Sequence, residues 1–329
     1  MASEADPVRV LVTTTSFQDT PGPHHDLLQS AGFELVLERG PLAEQRMLQL
    51  VGEIDGLLCG DDAITRAVIE RATPRLKVIS KYGIGVDKID LAAATDLRVP
   101  VTYCPGVNHK TVAEHTFALL LAVCRNLVTE CNHVLRGEWV RITGHELAGK
   151  RLGIVGMGRV GQEVALRGLA FDMGVLGLDP RWDRAFAARH SIVRTASLED
   201  LLPEVDVVTL HAPLIPETHH MINADRLRML RPGAVLINTA RGELVDSDAL
   251  AAALSRGELA GYGADVLDSE PPPRDHALLR CPNVVLTPHI ASRTAENVVR
   301  QATMAVENLV RVLAGQPPLA QANPVGTSR

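Results

Sequence analysis

Residues 150–180 open with KRLGIVGMGRVG and close with VLGLDP, almost halfway along a chain of 329 residues. A short apolar run at 152–155 leads into Gly156, Gly158 and Gly161; a helical pattern over 159–171 follows, then a second apolar run at 175–178 that ends in Asp179. Each part has a mechanical reason. Gly156 permits a tight turn, Gly158 lets the backbone approach a pyrophosphate, and Gly161 allows close helix-sheet packing, while the helix N-terminus presents unpaired N–H groups to the anion. Asp179 stands eighteen residues past Gly161, where a carboxylate accepts hydrogen bonds from ribose hydroxyls. Three glycines alone fit an ordinary strand-to-helix turn. Strand, helix, second strand and terminal acid in this order read as a dinucleotide-binding unit. An acid at the end of the second strand repels a 2′-phosphate, which favours NAD over NADP; Arg181 would suit either a 2′-phosphate or solvent, and we read it as a solvated loop charge.

The position of this unit requires a second domain ahead of it. Apolar runs at 9–14, 33–38, 56–59, 77–82 and 99–104 alternate with amphipathic patterns such as LAEQRMLQLV and ITRAVIERA. Short β-branched runs separated by helices imply a parallel sheet covered on both faces. After Pro105 a mostly apolar helix spans about 111–127. Glu114, His115 and Arg125 interrupt it too often for a membrane span, so it is expected in a core or an oligomer interface. The chain then loops through GEWVRITGHELAGK into the fingerprint. Beyond it, apolar runs at 206–213, 233–242, 261–268 and 283–290 alternate with helices, a last helix covers 295–315, and the Pro-rich end QPPLAQANPVGTSR is expected to be mobile. The expected fold is α/β: two doubly wound parallel-sheet domains, with a Rossmann NAD-binding domain at 105–291 inserted into a flavodoxin-like substrate domain built from 1–104 and 292–329. Two crossings between them would form a hinge over a cleft.

A formal charge of −6 and 3% aromatic residues argue against a nucleic-acid partner. No run is apolar enough for a membrane partner, and the acidic N-terminus enters a strand without the basic and apolar regions of a signal peptide. Five cysteines, odd in number and without a CxxC pair, suggest reduced thiols and a cytoplasmic location; Cys104 reads as a small hydrophobe. The pairs His24-His25 and His219-His220 lack acids or cysteines at ligand spacing, so no metal is expected and both pairs read as surface loops.

In an open α/β sheet, ligands sit beyond the carboxyl ends of the strands. Four such ends carry polar residues: His211 in LHAP, Arg241 in NTARG, Asp265 to Glu270 in ADVLDSEP, and His289 in LTPHI. Oxidising a secondary alcohol needs a base for the hydroxyl proton as hydride leaves, and a histidine with pKa near neutrality works in both directions. A carboxylate beside it favours imidazolium and fixes the tautomer; an arginine clamps a substrate carboxylate with two parallel hydrogen bonds. Singly, His289 fits a structural strand end, Arg241 a surface ion pair and Glu270 a turn before three prolines. Following a dinucleotide fingerprint, Arg241, Glu270 and His289 form a hydride-transfer set.

NTARG, GADVLDSEP and LTPHIA, with GMGRVG upstream and KYGIGVDKIDLAAA and YCPGVN in the first domain, resemble the D-isomer-specific 2-hydroxyacid dehydrogenases, and particularly their phosphoglycerate dehydrogenase-like branch, over nearly the whole chain. The resemblance implies that His289 is the acid/base, Glu270 its partner, and Arg241 the group holding carboxylate and carbonyl. It further implies that Tyr82, Gly83, Ile84 and Gly85 offer backbone amides to the carboxylate, with Asn108 nearby; a plain turn is the other reading of Gly83 and Gly85. For the cofactor, NAD, the matching positions are Gly156, Met157, Gly158, Arg159, Val160, Gly161, Asp179, His211, Ala212, Pro213, Thr218, Thr239, Ala240, His289 and Ala291, with Asp265 holding the carboxamide. His211 equally fits a packed strand end. A homodimer is implied as well. A corepressor-like NAD(H)-sensing protein is the alternative from another class, distinguished by loss of the catalytic trio.

Substrate choice then depends on the first domain. Lys81 stands where related enzymes often carry a basic residue, and Arg141 resembles a loop arginine that reaches a distal phosphate. Both favour 3-phosphoglycerate or another doubly anionic 2-hydroxy acid. Asp61 and Asp62 would repel a phosphate if they faced it, or cap the helix beginning near Ile64, which is the reading adopted. Related short enzymes act instead on hydroxypyruvate, glyoxylate, sugar acids, or phosphonate, sulfonate and phosphite substrates. Feedback through a C-terminal regulatory domain is not expected.

Overall fold

The computed structural model describes residues 6–325, which divide into two compact units: residues 6–108 with 293–325, and residues 109–292. The first crossing therefore falls at 108/109 rather than at 104/105. Val107 accounts for the difference, because it packs against the core of the first unit that also holds Val10, Val12 and Leu309.

In the first unit, β1 (Arg9–Val12), β2 (Glu34–Leu37), β3 (Gly56–Cys59), β4 (Val78–Lys81) and β5 (Val101–Thr102) form one parallel sheet in the order β2-β1-β3-β4-β5. This is the flavodoxin-like order, with its switch point between β1 and β3. A core lies on each face. The helix Ala295–Leu313, whose N-cap Thr294 accepts from the Asn297 amide, fills one of them with Ala302, Ala305, Val306, Leu309 and Val312. Each large aliphatic buried this way contributes roughly 1.5–3 kcal/mol.

The second unit holds β6 (Arg151–Val155), β7 (Gly174–Leu178), β8 (Val193–Arg194), β9 (Val207–Leu210), β10 (Ala234–Asn238), β11 (Leu259–Ala264) and β12 (Val284–Leu286). They form a seven-stranded parallel sheet in the order β12-β11-β10-β9-β6-β7-β8. From β8 to β11 this is the Rossmann order, and the chain reverses direction across the sheet between β6 and β9. The helix Leu127–Leu135 follows His109–Cys124 after a break at Asn126, whose φ is +51°. The first helix is core of this unit: Phe117, Leu119, Leu120 and Val123 pack with Ile154, Val207 and Ile237. No single helix among the described residues is long and apolar enough to cross a membrane; only this bent pair passes by composition.

Two further expectations fail. The segment after the last helix is pinned, not mobile: Gln321 bridges antiparallel to Thr102, and the buried Asn323 accepts from the Val101 amide at 2.8 Å while donating to the Val99 carbonyl at 2.9 Å. Asn308, also buried, accepts from the Leu319 amide and donates to the Tyr103 carbonyl. Two asparagine side chains thus supply the pairing that a strand neighbour would; residues 326–329 lie outside the described ones. His24 is not in a surface loop either. It is fully buried in the helix Pro23–Ser30, edge-on to Phe17 and hydrogen-bonded to the Phe17 carbonyl, and burial lowers its pKa. His219 stays in an exposed turn.

Replacing Asn323 with Ala leaves the Val101 amide and Val99 carbonyl without that partner, at about 1–3 kcal/mol for each buried unpaired group. Hydrogen exchange should then show lost protection at the Val101 amide and across 319–325, with the seven-stranded sheet unchanged. Retained protection would mean that other contacts hold the tail.

Candidate active site

The turn after β6 is built on two unavoidable glycines. Gly156 has φ +96°, and a Cβ there would come within 2.6 Å of the His211 carbonyl at the end of β9; a Cβ on Gly161 would lie 2.0 Å from the Gly156 oxygen. Turn, helix and β9 therefore close up at the switch point only because both side chains are absent. Gly158 differs: a Cβ there would meet nothing within 4 Å, and it leads into the helix Arg159–Ala170, whose first amides receive no side-chain cap. Open space above uncapped N–H groups is what a pyrophosphate needs. Asp179, at the tip of β7, accepts from the Met157 amide at 2.8 Å and the Arg181 amide at 2.6 Å, so the glycine turn fixes the carboxylate expected at the ribose. These residues fit NAD.

The adjoining positions have partners of their own. Thr218 uses its hydroxyl within its loop, donating to Pro213 O and accepting from Ile215 N. Thr239 meets Thr116 of the helix His109–Cys124 at 3.0 Å, and the Ala240 amide donates to Asn238 Oδ1. His211 bonds Thr209 Oγ1 at 2.9 Å, and burial pushes its pKa down to about 3. It stays neutral at physiological pH and is no proton carrier.

Beyond β10 and β11, three loops converge. The fully buried Asn238 donates to Arg241 O at 2.8 Å and so folds the NTARG turn, in which Arg241 Nη1 meets Ala240 O. Next to it, a Cβ on Gly242 would lie 1.9 Å from Leu267 C and 2.2 Å from Asp268 N; the arginine loop and the Glu270 loop touch backbone to backbone. Glu270 Oε1 accepts from the Leu267 amide at 3.0 Å, and its Oε2 lies 2.8 Å from His289 Nδ1. His289 has φ +53°, a left-handed conformation that persists in a non-glycine residue only when its surroundings over-determine it.

Asp265 supplies that determination. Its amide donates to Asn238 O and its carbonyl accepts from the His289 amide at 2.8 Å, while its buried carboxylate accepts from Thr287 Oγ1, Ile290 N and Ala291 N at 2.5, 2.8 and 2.7 Å. His115 Nε2 reaches the same Thr287 hydroxyl at 2.8 Å. Burial would raise the Asp265 pKa, but hydrogen bonds from His115, Thr287 and the Ile290 and Ala291 amides outweigh it and hold the carboxyl below its usual range. Asp265, expected at the carboxamide, thus also anchors the histidine loop. Sequence reasoning missed Asn238 and His115 as parts of this anchor. His115 was legible only as a polar break in an apolar helix.

The first unit carries the remaining predicted residues. The Tyr82 side chain bonds Ser16, and burial raises its pKa. Gly83 has φ +150° and donates to Lys81 O, Ile84 is exposed, and Asn108 Oδ1 is buried with no protein partner. Lys81 has a 4% exposed side chain, and its ammonium meets Asp61 Oδ1 at 2.6 Å and Gly60 O at 2.5 Å. Neither Asp61 nor Asp62 caps the next helix, which begins at Arg66 with Thr65 as its N-cap. Asp62 instead accepts from Thr13 Oγ1, Leu42 N and Gly60 N, tying three loops at the switch point of that sheet. Arg141, in the second unit, stands on an exposed segment without regular structure. All five cysteines are free; burial pushes the Cys59 and Cys104 thiols up to about 12. Among the described residues no three metal-ligating side chains converge.

The model of the D-isomer specific 2-hydroxyacid dehydrogenase NAD binding domain matches residues 117–291. A glyoxylate reductase of Thermofilum pendens is 42% identical over 292 residues, covering 86% of this chain and 85% of that protein. A D-3-phosphoglycerate dehydrogenase of Methanocaldococcus jannaschii is 36% identical over 94% of this chain but only 58% of its own length. Among solved structures, a D-lactate dehydrogenase of Aquifex aeolicus complexed with NAD and lactic acid superposes with a TM-score of 0.82 at 31% identity, covering 93% of this chain and 96% of that one. The chain therefore belongs to the D-isomer specific 2-hydroxyacid dehydrogenase family and is an NAD-dependent oxidoreductase of that family.

Proposed function

We propose that this enzyme reduces small, singly charged 2-oxo acids of the glyoxylate or hydroxypyruvate type. The observation that carries the choice is the state of Lys81. Its ammonium is buried against Asp61 and the Gly60 carbonyl, so it brings no uncompensated positive charge for a second anionic group. The expectation of 3-phosphoglycerate gives way on this ground. Several of the most similar relatives are glyoxylate reductases, which supports the same reading.

Bound NADH supplies the hydride to the carbonyl carbon. In this reading Arg241 pairs with the substrate carboxylate through its planar fork and polarises the carbonyl. His289, with Nδ1 committed to Glu270, gives its Nε2 proton to the carbonyl oxygen as the alkoxide forms, and Glu270 stabilises the imidazolium beforehand. Within the first unit, the amides of Gly83, Ile84 and Gly85, with Tyr82 and Asn108, are that unit's own candidates for binding an anion. The trio that a nucleotide sensor could lose without penalty is intact.

We further propose a cytoplasmic homodimer. The helix Leu127–Leu135 buries none of its residues within the chain. With the segment after it, it exposes Leu127, Val134, Leu135 (84%), Trp139 (81%) and Ile142, an apolar run of the kind that monomers rarely leave uncovered. A second copy covering it by two-fold symmetry fits a surface continuous in sequence.

With a panel of 2-oxo acids, NADH oxidation should give a kcat/KM for glyoxylate or hydroxypyruvate about tenfold or more above that for 3-phosphohydroxypyruvate; the reverse order would overturn the substrate reading. In the same assay His289→Asn should lower kcat by about 10²–10⁴ while NADH binding survives, and unchanged turnover would remove His289 from the mechanism. Sedimentation should find a dimer that Leu135→Glu with Trp139→Glu dissociates; a monomeric wild type would contradict the assembly.

A further inference from the structure

Between the end of β11 and the 3-10 turn Ala277–Arg280, the segment that carries Glu270 contains three successive prolines and no strand or helix of its own. Such a segment keeps a side chain in place only through its anchors. One is the backbone contact at Gly242. The other is a polar clasp at the far end of the loop. His276 Nε2 lies 2.8 Å from Asp268 Oδ1, with the His276 side chain 8% exposed, and the buried Ser247, at the start of the helix Ser247–Ser255, bonds the same carboxylate. The tautomer follows from the partners. His276 Nδ1 accepts from the Leu278 amide, so Nε2 carries the hydrogen and donates it to Asp268. Burial would raise the Asp268 pKa, but the hydrogen bonds from His276 and Ser247 outweigh it and keep the group ionised.

Asp268 follows Leu267, whose amide binds Glu270 Oε1. Joining Asp268 to His276 therefore closes the loop on both sides of Glu270. His220, Asp246, Asp248 and Asp275 line the same recess. Without His276, Asp268 keeps Ser247 as its side-chain donor in a recess lined by three other carboxylates.

We infer that His276, acting through Asp268, is a positioning residue of the hydride-transfer site, closing the loop that presents Glu270 to His289. The inference rests on the assignment of His289 as the acid. A residue that only stabilised the fold would leave the His289 titration where it is; a positioning residue moves it.

The test follows the His289 imidazole by NMR across pH in the full chain without substrate, for wild type, His276→Ala and His276→Gln, the last of which keeps an N–H donor near the Nε2 position. Loss of the carboxylate partner should lower the His289 midpoint by about one unit in His276→Ala, with His276→Gln close to wild type. The corresponding limb of the kcat profile for 2-oxo acid reduction should move the same way, with kcat near neutral pH down about tenfold and NADH affinity unchanged. A His289 midpoint that stays put in His276→Ala overturns the inference. If that variant does not fold, His276→Leu, which fills the same space without a donor, is expected to show the same shift, and an unmoved midpoint there overturns it equally. A wild type that reduces no 2-oxo acid refutes the proposed reaction instead, and the NMR titration still decides the clasp.

Discussion

One buried carboxylate organises the carboxyl end of the larger sheet. Asp265 receives a hydroxyl and two amides on its side chain and the His289 amide on its carbonyl. Charge-assisted hydrogen bonds of this kind are about twice as strong as neutral ones, and a buried charge lacking them would be prohibitive. The balance forces residues 287–291 to wrap around the carboxylate, and His289 takes a left-handed backbone as the consequence. Glu270 then meets a ring whose direction is already set. The missing side chain of Gly242 lets the arginine loop close against the Glu270 loop. The backbones that carry Arg241, Glu270 and His289 are thus positioned by packing and one satisfied charge.

What could be read from the chain was whatever repeats along it or depends on a single backbone requirement. Alternating apolar runs gave two parallel sheets, and the spacing of Gly156, Gly158, Gly161 and Asp179 gave the nucleotide turn, because each glycine answers a local steric demand. Polar residues at strand ends drew attention to Arg241, Glu270 and His289, since open sheets collect ligands there. Partnerships between distant residues were not legible. Lys81 and Asp61 are twenty apart along the chain, and only the pairing of β3 with β4 brings them together. Asn323 reads as tail composition until β5 is in place to receive it, and His24 reads as a loop residue until Phe17 packs on its ring.

Charge in the first unit is equally a product of the fold. By sequence, Lys81 is a cation and Asp61 a helix cap; folded, they form one compensated pair with the Gly60 carbonyl. An ion pair of this kind has a desolvation cost that its Coulomb attraction offsets only when the remaining hydrogen bonds are made, and here the carbonyl makes one of them.

The most direct measurement is a crystal structure of the protein with NADH and oxamate, a 2-oxo acid analogue that cannot be reduced. The oxamate carboxylate should pair with the Arg241 guanidinium and its carbonyl oxygen should lie within hydrogen-bond distance of His289 Nε2, with the His289–Glu270 contact retained. Oxamate bound away from both residues, or a His289 ring turned from Glu270 in the complex, would contradict it.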